Sequence, residues 1–148
     1  MVPKGLEVRL YGGVGEIDEA AWDALLGPDA SPFVEWAWLE ALERAGCATP
    51  EQGWLPRPIV VHRGGAPIAA APAYLKGDSS GEFVFDHPWA AVAERLGVAY
   101  YPKLVVAVPF TPVTGDRLLI APGEDRVELE ALLALAASRV ADELDLSS

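Results

Sequence analysis

Apolar residues in this chain come only in short blocks, each cut by proline, glycine or charge, and the blocks follow two different periods. Leu6, Val8 and Leu10 interleave with Glu7 and Arg9, the two-residue period of a half-buried strand that runs to Tyr11, and Gly12-Gly13 break it. From Asp125 to Leu144 the positions Leu129, Leu132, Leu133, Ala136, Val140 and Leu144 instead trace one face of a helix. Both periods in one chain predict strands and helices packed on each other. None of the blocks approaches the roughly 20 residues that a membrane-spanning helix needs. Met1 to Arg9 holds no apolar h-region, so the default expectation is a soluble, cytoplasmic protein.

The remaining elements read in order. Asp18 is a helix N-cap, with Ile17 and Trp22 placed as a hydrophobic staple, and the helix ends near Leu26 before Gly27-Pro28-Asp29. Ser31 and Pro32 open a second helix whose predicted apolar stripe is Val34, Trp38, Ala41, Leu42 and Ala45, with Glu43 facing elsewhere and Gly46 as the stop. Ile59–His62 and Ile68–Leu75 form a hairpin around Gly64-Gly65, with Pro72 marking an edge or a bulge. Phe83–Phe85 is a third strand, Pro88 to Leu96 a helix, and Leu104–Val108 a buried strand. Trp22, Trp36 and Trp38 are expected in the core, Trp54 and Trp89 along a groove, and His62 at the surface.

Charge limits the partners. Eleven Lys and Arg against 22 Asp and Glu give −11, and the basic residues are scattered singly, which excludes the basic stripe that nucleic-acid binding needs. The single cysteine, Cys47, excludes an internal disulfide and a cysteine-based zinc site, and with only His62 and His87 besides no metal is expected. At 148 residues, without repeats or an internal linker, one domain over 1–148 is the economical reading.

The expected order is β-α-α-β-β-β-α-β-α, a mixed, mostly antiparallel α/β (α+β) sheet flanked by helices, and it resembles the first part of the GNAT fold. The segments Gly53-Trp54-Leu55-Pro56-Arg57-Pro58, Ala73-Tyr74-Leu75-Lys76, Gly81 to Asp86, Trp89-Ala90, Tyr100 to Leu104 and Pro109 to Leu119 carry a more specific likeness. They resemble the FemAB-like predicted N-acyltransferases, of the peptidoglycan biosynthesis or recognition type, over about Ser31 to Ile120. That resemblance implies two GNAT-like halves in tandem, of which this chain is the N-terminal one, a fragment or truncated reading frame. It implies an acyl-CoA or aminoacyl-tRNA donor held by the second half, none bound by this chain, and an amine-bearing small molecule or cell-wall precursor as acceptor. Members commonly carry His after Tyr-Leu-Lys, where this chain has Asp78.

The residues narrow the chemistry. A GNAT half cradles pyrophosphate with the amides of a glycine-rich loop at a helix N-terminus. Here that segment is Asp86-His87-Pro88-Trp89, with no glycine and an added carboxylate, which excludes ordinary CoA binding. Gly12-Gly13-Val14-Gly15 reads as a turn instead. Glu82 and Asp86, on one strand face, would have their backbones about 13 Å apart, too far for a catalytic carboxylate pair. Lys76 and Lys103 stand at strand ends, where snorkelling to solvent is the plain expectation. Tyr100 and Tyr101, if extended, point to opposite sides, leaving one in the core.

The candidate substrate-binding set is Lys76, Glu82, Asp86, Trp89, Tyr101, Lys103 and Arg117, with Lys76, Glu82, Asp86, Tyr101, Lys103 and Arg117 expected along one cleft. The catalytic residues are not identifiable from the sequence. Two functions remain open: the acceptor-recognising half of an N-acyltransferase, and a non-catalytic GNAT-shaped binding or interaction module. If the chain is a fragment, the strand expected after the terminal helix is absent, and self-association through apolar surface left exposed on that helix is expected.

Overall fold

The computed structural model of the chain describes residues 2–82 and 85–148. Its elements are β1 (Leu6–Leu10), α1 (Glu19–Asp23), α2 (Trp36–Arg44), β2 (Trp54–Pro56), β3 (Ile59–Arg63), β4 (Ala66–Ala71), β5 (Ala73–Lys76), α3 (His87–Arg95), β6 (Lys103–Val106), β7 (Leu119–Ile120) and α4 (Arg126–Glu143). All strand pairs are antiparallel. The strands make two sheets rather than the one expected, a four-stranded sheet ordered β1-β3-β4-β7 and a three-stranded sheet ordered β2-β5-β6. The short β2 and β7 were not anticipated from the sequence. The predicted strand at 83–85 rests on Phe83 and Val84, which lie outside the described residues, and Phe85 is not in a strand.

One hairpin belongs to both sheets. Pro56 pairs with Tyr74 and Ile59 with Ala71, so the register runs through from the β2–β5 pair to the β3–β4 pair without a shift. The Arg57 amide donates to Ala73 O at 2.7 Å in between. The ladder is creased at Pro58 and Pro72, which have no N–H to give it. Pro72 therefore marks a passage between sheets and not a bulge; the register shift lies at Val61/His62 instead. The hairpin turns at Gly64 and Gly65, with φ of 58° and 87°, the pair of left-handed residues that a tight two-residue turn requires.

Strand alternation puts two cores on the two faces of the four-stranded sheet. Val60 and Ala70 pack against Trp22, Leu25, Val34 and Leu39 from the α1–α2 side. Ile59, Val61, Ala69 and Ala71 pack against Leu129, Leu132, Leu133 and Ala136 of α4. The alanines of β4 let both layers come close. Of the predicted α4 stripe these four are buried, Val140 is half-buried and Leu144 is exposed, so the helix is seated and its open apolar surface is confined to its far end and outer side.

The helix starts follow their caps. Asp18 Oδ1 accepts from Ala21 N at 2.9 Å, and Asp125 Oδ1 from Glu128 N at 3.0 Å. Ser31 and Pro32 open only a 3-10 turn, Pro32–Val34, while α2 proper begins at Trp36, whose amide donates to Asp23 Oδ1 at 2.9 Å. This later start rotates the predicted stripe. Leu39 is the buried residue of α2, Trp38 is exposed against Phe33, and Ala45 is exposed. Trp36 is half-buried and donates its indole N–H to Val14 O and Ile17 O.

Glu43 turns inward, against expectation. Both its oxygens take the Val14 amide at 3.0 Å, and Glu16 takes the Gly12 amide at 3.1 Å. A side chain at Gly13 would collide with the Glu43 carboxylate, and one at Gly12 with Glu16. The glycine-rich turn is thus an anion nest already filled by the protein's own carboxylates. Burial, and then the neighbouring Glu40 and Glu16, push the Glu43 carboxyl above its usual range.

His62 is a second correction, being buried rather than at the surface. It lies on β3 beneath Tyr11, whose hydroxyl meets Nε2 at 3.1 Å, while Nδ1 has no partner among the described residues. Burial, reinforced by Arg9, lowers its pKa.

Candidate functional site

The three-stranded sheet carries most of the candidate residues at one end. Residues 77–82 leave β5 and wrap over Trp54, whose indole N–H donates to Ser80 O at 2.8 Å. Gly81, at φ 73°, lies against the Trp54 and Phe110 rings with no room for a side chain. Asp78 accepts from Ser80 N at 2.6 Å, tightening the turn, and the Ser80 side chain and then this amide lower its pKa. Trp54 is consequently core, packed edge-on against Tyr74 with centroids 5.5 Å apart, and does not line a groove.

Lys76 does not snorkel. It is fully buried, its ammonium lies 3.8 Å from the Trp54 ring centroid, and it donates to Ser80 O at 2.5 Å. Burial pulls its pKa below the usual lysine value, partly offset by Glu82 and Asp78.

Asp86, just ahead of α3, is the hub. Its carboxylate accepts from Ser79 Oγ, from Tyr101 OH at 2.5 Å and from Lys103 Nζ. Burial alone would raise the Asp86 pKa; the bonds from Lys103, Ser79 and Tyr101 outweigh it and hold the group well below the usual carboxylate range. Lys103 Nζ also lies 3.6 Å from Glu82 Oε1 and about equally far, at 5.0 and 5.1 Å, from the Tyr100 and Tyr101 ring centroids. Burial would lower the Lys103 pKa, but Asp86 and Glu82 raise it. Burial and Asp86 together raise that of Tyr101. At neutral pH the hub is therefore an anion held by a cation and two hydroxyl donors. Its low basicity excludes Asp86 as a general base there.

Glu82 and Asp86 converge on one ammonium, closer than the extended placement allowed. Asp86 takes three donors, whereas the Glu82 side chain makes only the longer contact to Lys103 among the described residues. Tyr100 and Tyr101 are both half-buried and pack edge to face at 5.0 Å, so neither is core. The expected buried strand is the edge strand β6, half-buried throughout.

Trp89 lies in the first turn of α3 with 69% of its surface exposed, and the exposed Phe85 stacks on His87 at 5.2 Å. No described residue of α3 is buried. Arg117 is elsewhere: it donates to Val113 O and Asp116 O in the loop before β7, and none of its bonds reaches the Asp86 cluster. Sequence reasoning missed Ser79, which is buried and fixes Asp86 from both sides, its Oγ also accepting the Asp86 amide at 3.1 Å. The only signal for it was its place in the turn-forming run Asp78-Ser79-Ser80-Gly81.

Compared with known proteins, residues 13–148 match the FemAB_like family model, described as peptidoglycan biosynthesis/recognition. No curated protein and no solved structure matches the chain. No helix is long and apolar enough to cross a membrane among the described residues.

Proposed function

From the chain's membership of the FemAB-like family, a family of transferases, we propose that it is the acceptor-recognising, N-terminal half of an N-acyltransferase acting on a peptidoglycan precursor. The group moved is acyl or aminoacyl, and its acceptor is an amine. In this reading the fold is GNAT-like, and a second half holds the acyl-CoA or aminoacyl-tRNA donor. At −11, this half adds nothing to tRNA affinity.

The observation that carries the reading is the sharing of Lys103 between an engaged carboxylate, Asp86, and a freer one, Glu82. Asp86 holds Lys103 and Tyr101 in place. Glu82 then supplies the anion that orients an acceptor ammonium, and Lys103 the cation for an acceptor carboxylate. Trp89, three residues beyond Asp86 in α3, offers an exposed aromatic face. Lys76 supports the loop from below, and Arg117 falls outside this role. One fact favours the second reading, a binding module without chemistry: the hub carboxylate is weakly basic and already takes three donors from within the chain.

Calorimetric titration with a muramoyl peptide bearing a free side-chain amine tests the proposal. Glu82→Gln and Trp89→Ala should each weaken binding about tenfold while the fold is kept. No heat from the wild-type chain at millimolar ligand would refute acceptor recognition. Binding without turnover, once a donor-binding half is supplied, would favour the module.

A further inference from the structure

We infer that β1 is a self-pairing edge, and that two copies of the chain join there into one continuous antiparallel sheet. β1 is the outer strand of the four-stranded sheet and pairs only with β3. The Tyr11 amide donates across to Pro58 O, so Glu7, Arg9 and Tyr11 direct their backbone groups toward β3. Leu6, Val8 and Leu10 therefore direct theirs outward. The Leu6 amide turns back to Pro3 O, while by the register those of Val8 and Leu10 face away from β3.

The sequence of this edge, Leu-Glu-Val-Arg-Leu, is charge-palindromic about Val8. A two-fold axis through Val8 pairs Val8 with Val8 of the second copy and Leu10 with its Leu6, all from the outward set; the Leu10 amide donates to the Leu6 carbonyl, since the Leu6 amide is given to Pro3 O. Glu7 then faces Arg9 of the second copy, twice by symmetry, at the close non-hydrogen-bonded positions where side chains meet best. A two-fold centred on Leu6 or Leu10 leaves that match unmade, and one on Glu7 or Arg9 sets like charges together. Within one chain Arg9 grips Glu7 with two bonds of 2.8 Å, both groups about half exposed, so the exchange swaps partners without stranding a charge.

The other face of the edge is mostly apolar, with Arg139 and Glu143 also lining it. Val8 and Leu10 form, with Leu132, Leu135 and Val140 of α4, a groove of about 290 Å3, and Leu10 and Leu135 are exposed there. At −11 per chain, two copies repel unless their contact is locally matched. The β1 edge, with one Glu and one Arg, provides such a match. A partner other than a second copy would have to reproduce the same alternation.

Sedimentation over a concentration series tests this. The mass should rise from 15.7 kDa toward twice that value. Glu7→Arg alone and Arg9→Glu alone should each weaken dimerisation about tenfold or more, since each sets two like-charge pairs across the axis. Mixing the two variants in equal amounts should restore the dimer, because one edge is then doubly cationic and the other doubly anionic. A wild-type monomer at about 0.5 mM overturns the inference. So does a wild-type dimer that both substitutions leave intact, or a mixture of the two folded variants, checked by circular dichroism, that fails to associate.

Discussion

Lys76 and Lys103 are direct cross-strand partners in the β5–β6 pair, yet their ammonium groups go to different places. Lys76 goes down to Trp54 and Ser80 O; Lys103 goes across to Asp86 and Glu82. Like charges directly opposite each other destabilise a ladder, so the arrangement needs the carboxylates on the Lys103 side.

The two lysines should respond differently to removal of charge. Lys76→Met replaces a buried ammonium that has no carboxylate in contact, and should change stability by no more than about 1 kcal/mol. Lys103→Met strands Asp86 among its hydroxyl partners and should cost about 2 kcal/mol. Urea denaturation of both variants measures this, and equal losses would show that the lysines are interchangeable supports.

Acid should act on Asp86 and Glu43 in opposite directions. The Asp86 pKa is depressed below its ordinary 3.8, so its stabilisation is complete above that value and is lost as pH falls beneath it. Glu43 is raised above its ordinary 4.5, so its contribution is complete below that value and is lost as pH rises through the raised one. Glu43→Gln should therefore gain on the wild type as pH rises above 4.5, and Asp86→Asn should flatten the fall below 3.8. Urea midpoints across pH 3–7 report both effects; parallel curves for all three proteins would contradict them.

Gly81 and Gly77 provide a matched pair in one loop. A methyl at Gly81 would overlap the Phe110 ring and come within 2.5 Å of Trp54 Nε1, at a φ of 73°. A methyl at Gly77 meets nothing within 4 Å. Gly81→Ala should cost about 2 kcal/mol or more and loosen the Ser80 carbonyl from Lys76, whereas Gly77→Ala should stay within about 0.5 kcal/mol. Trp54 fluorescence should shift in the first variant alone. A shift in both, or in neither, would place the constraint elsewhere.

Acetyl-CoA should not bind this chain measurably. The amides of Gly12 and Val14 are already occupied by Glu16 and Glu43, and the start of α3 presents Asp86 in place of glycine. Calorimetry showing micromolar binding would reveal a cradle other than these two.

What could be read from the sequence divides by range of interaction. Caps at Asp18 and Asp125, the Gly64-Gly65 turn and the α4 stripe are local, and local chemistry predicts them. The split into two sheets was not legible, because Pro72 looks the same whether it bulges a strand or creases a ladder. His62 reads as a strand-end surface residue; only the packing of Tyr11, 51 residues away, shows that it is covered. At the site, the residue types were visible, but their pairing was not. Asp86 and Lys103 are 17 residues apart, and Ser79 gives no sign of its burial in a run of turn formers.

The crease at Pro58 and Pro72 bears on how the molecule comes apart. Two sheets would ordinarily suggest two independently melting parts, with the edge-rich one opening first. Here the same two chain segments run through both sheets, so losing the β2–β5 rungs frees the ends of the very strands that hold β1 and β7. Cooperativity is thereby built into the covalent path. The chain should show a single unfolding transition by fluorescence and by far-ultraviolet dichroism, with the Arg57 and Val60 amides exchanging on the same timescale.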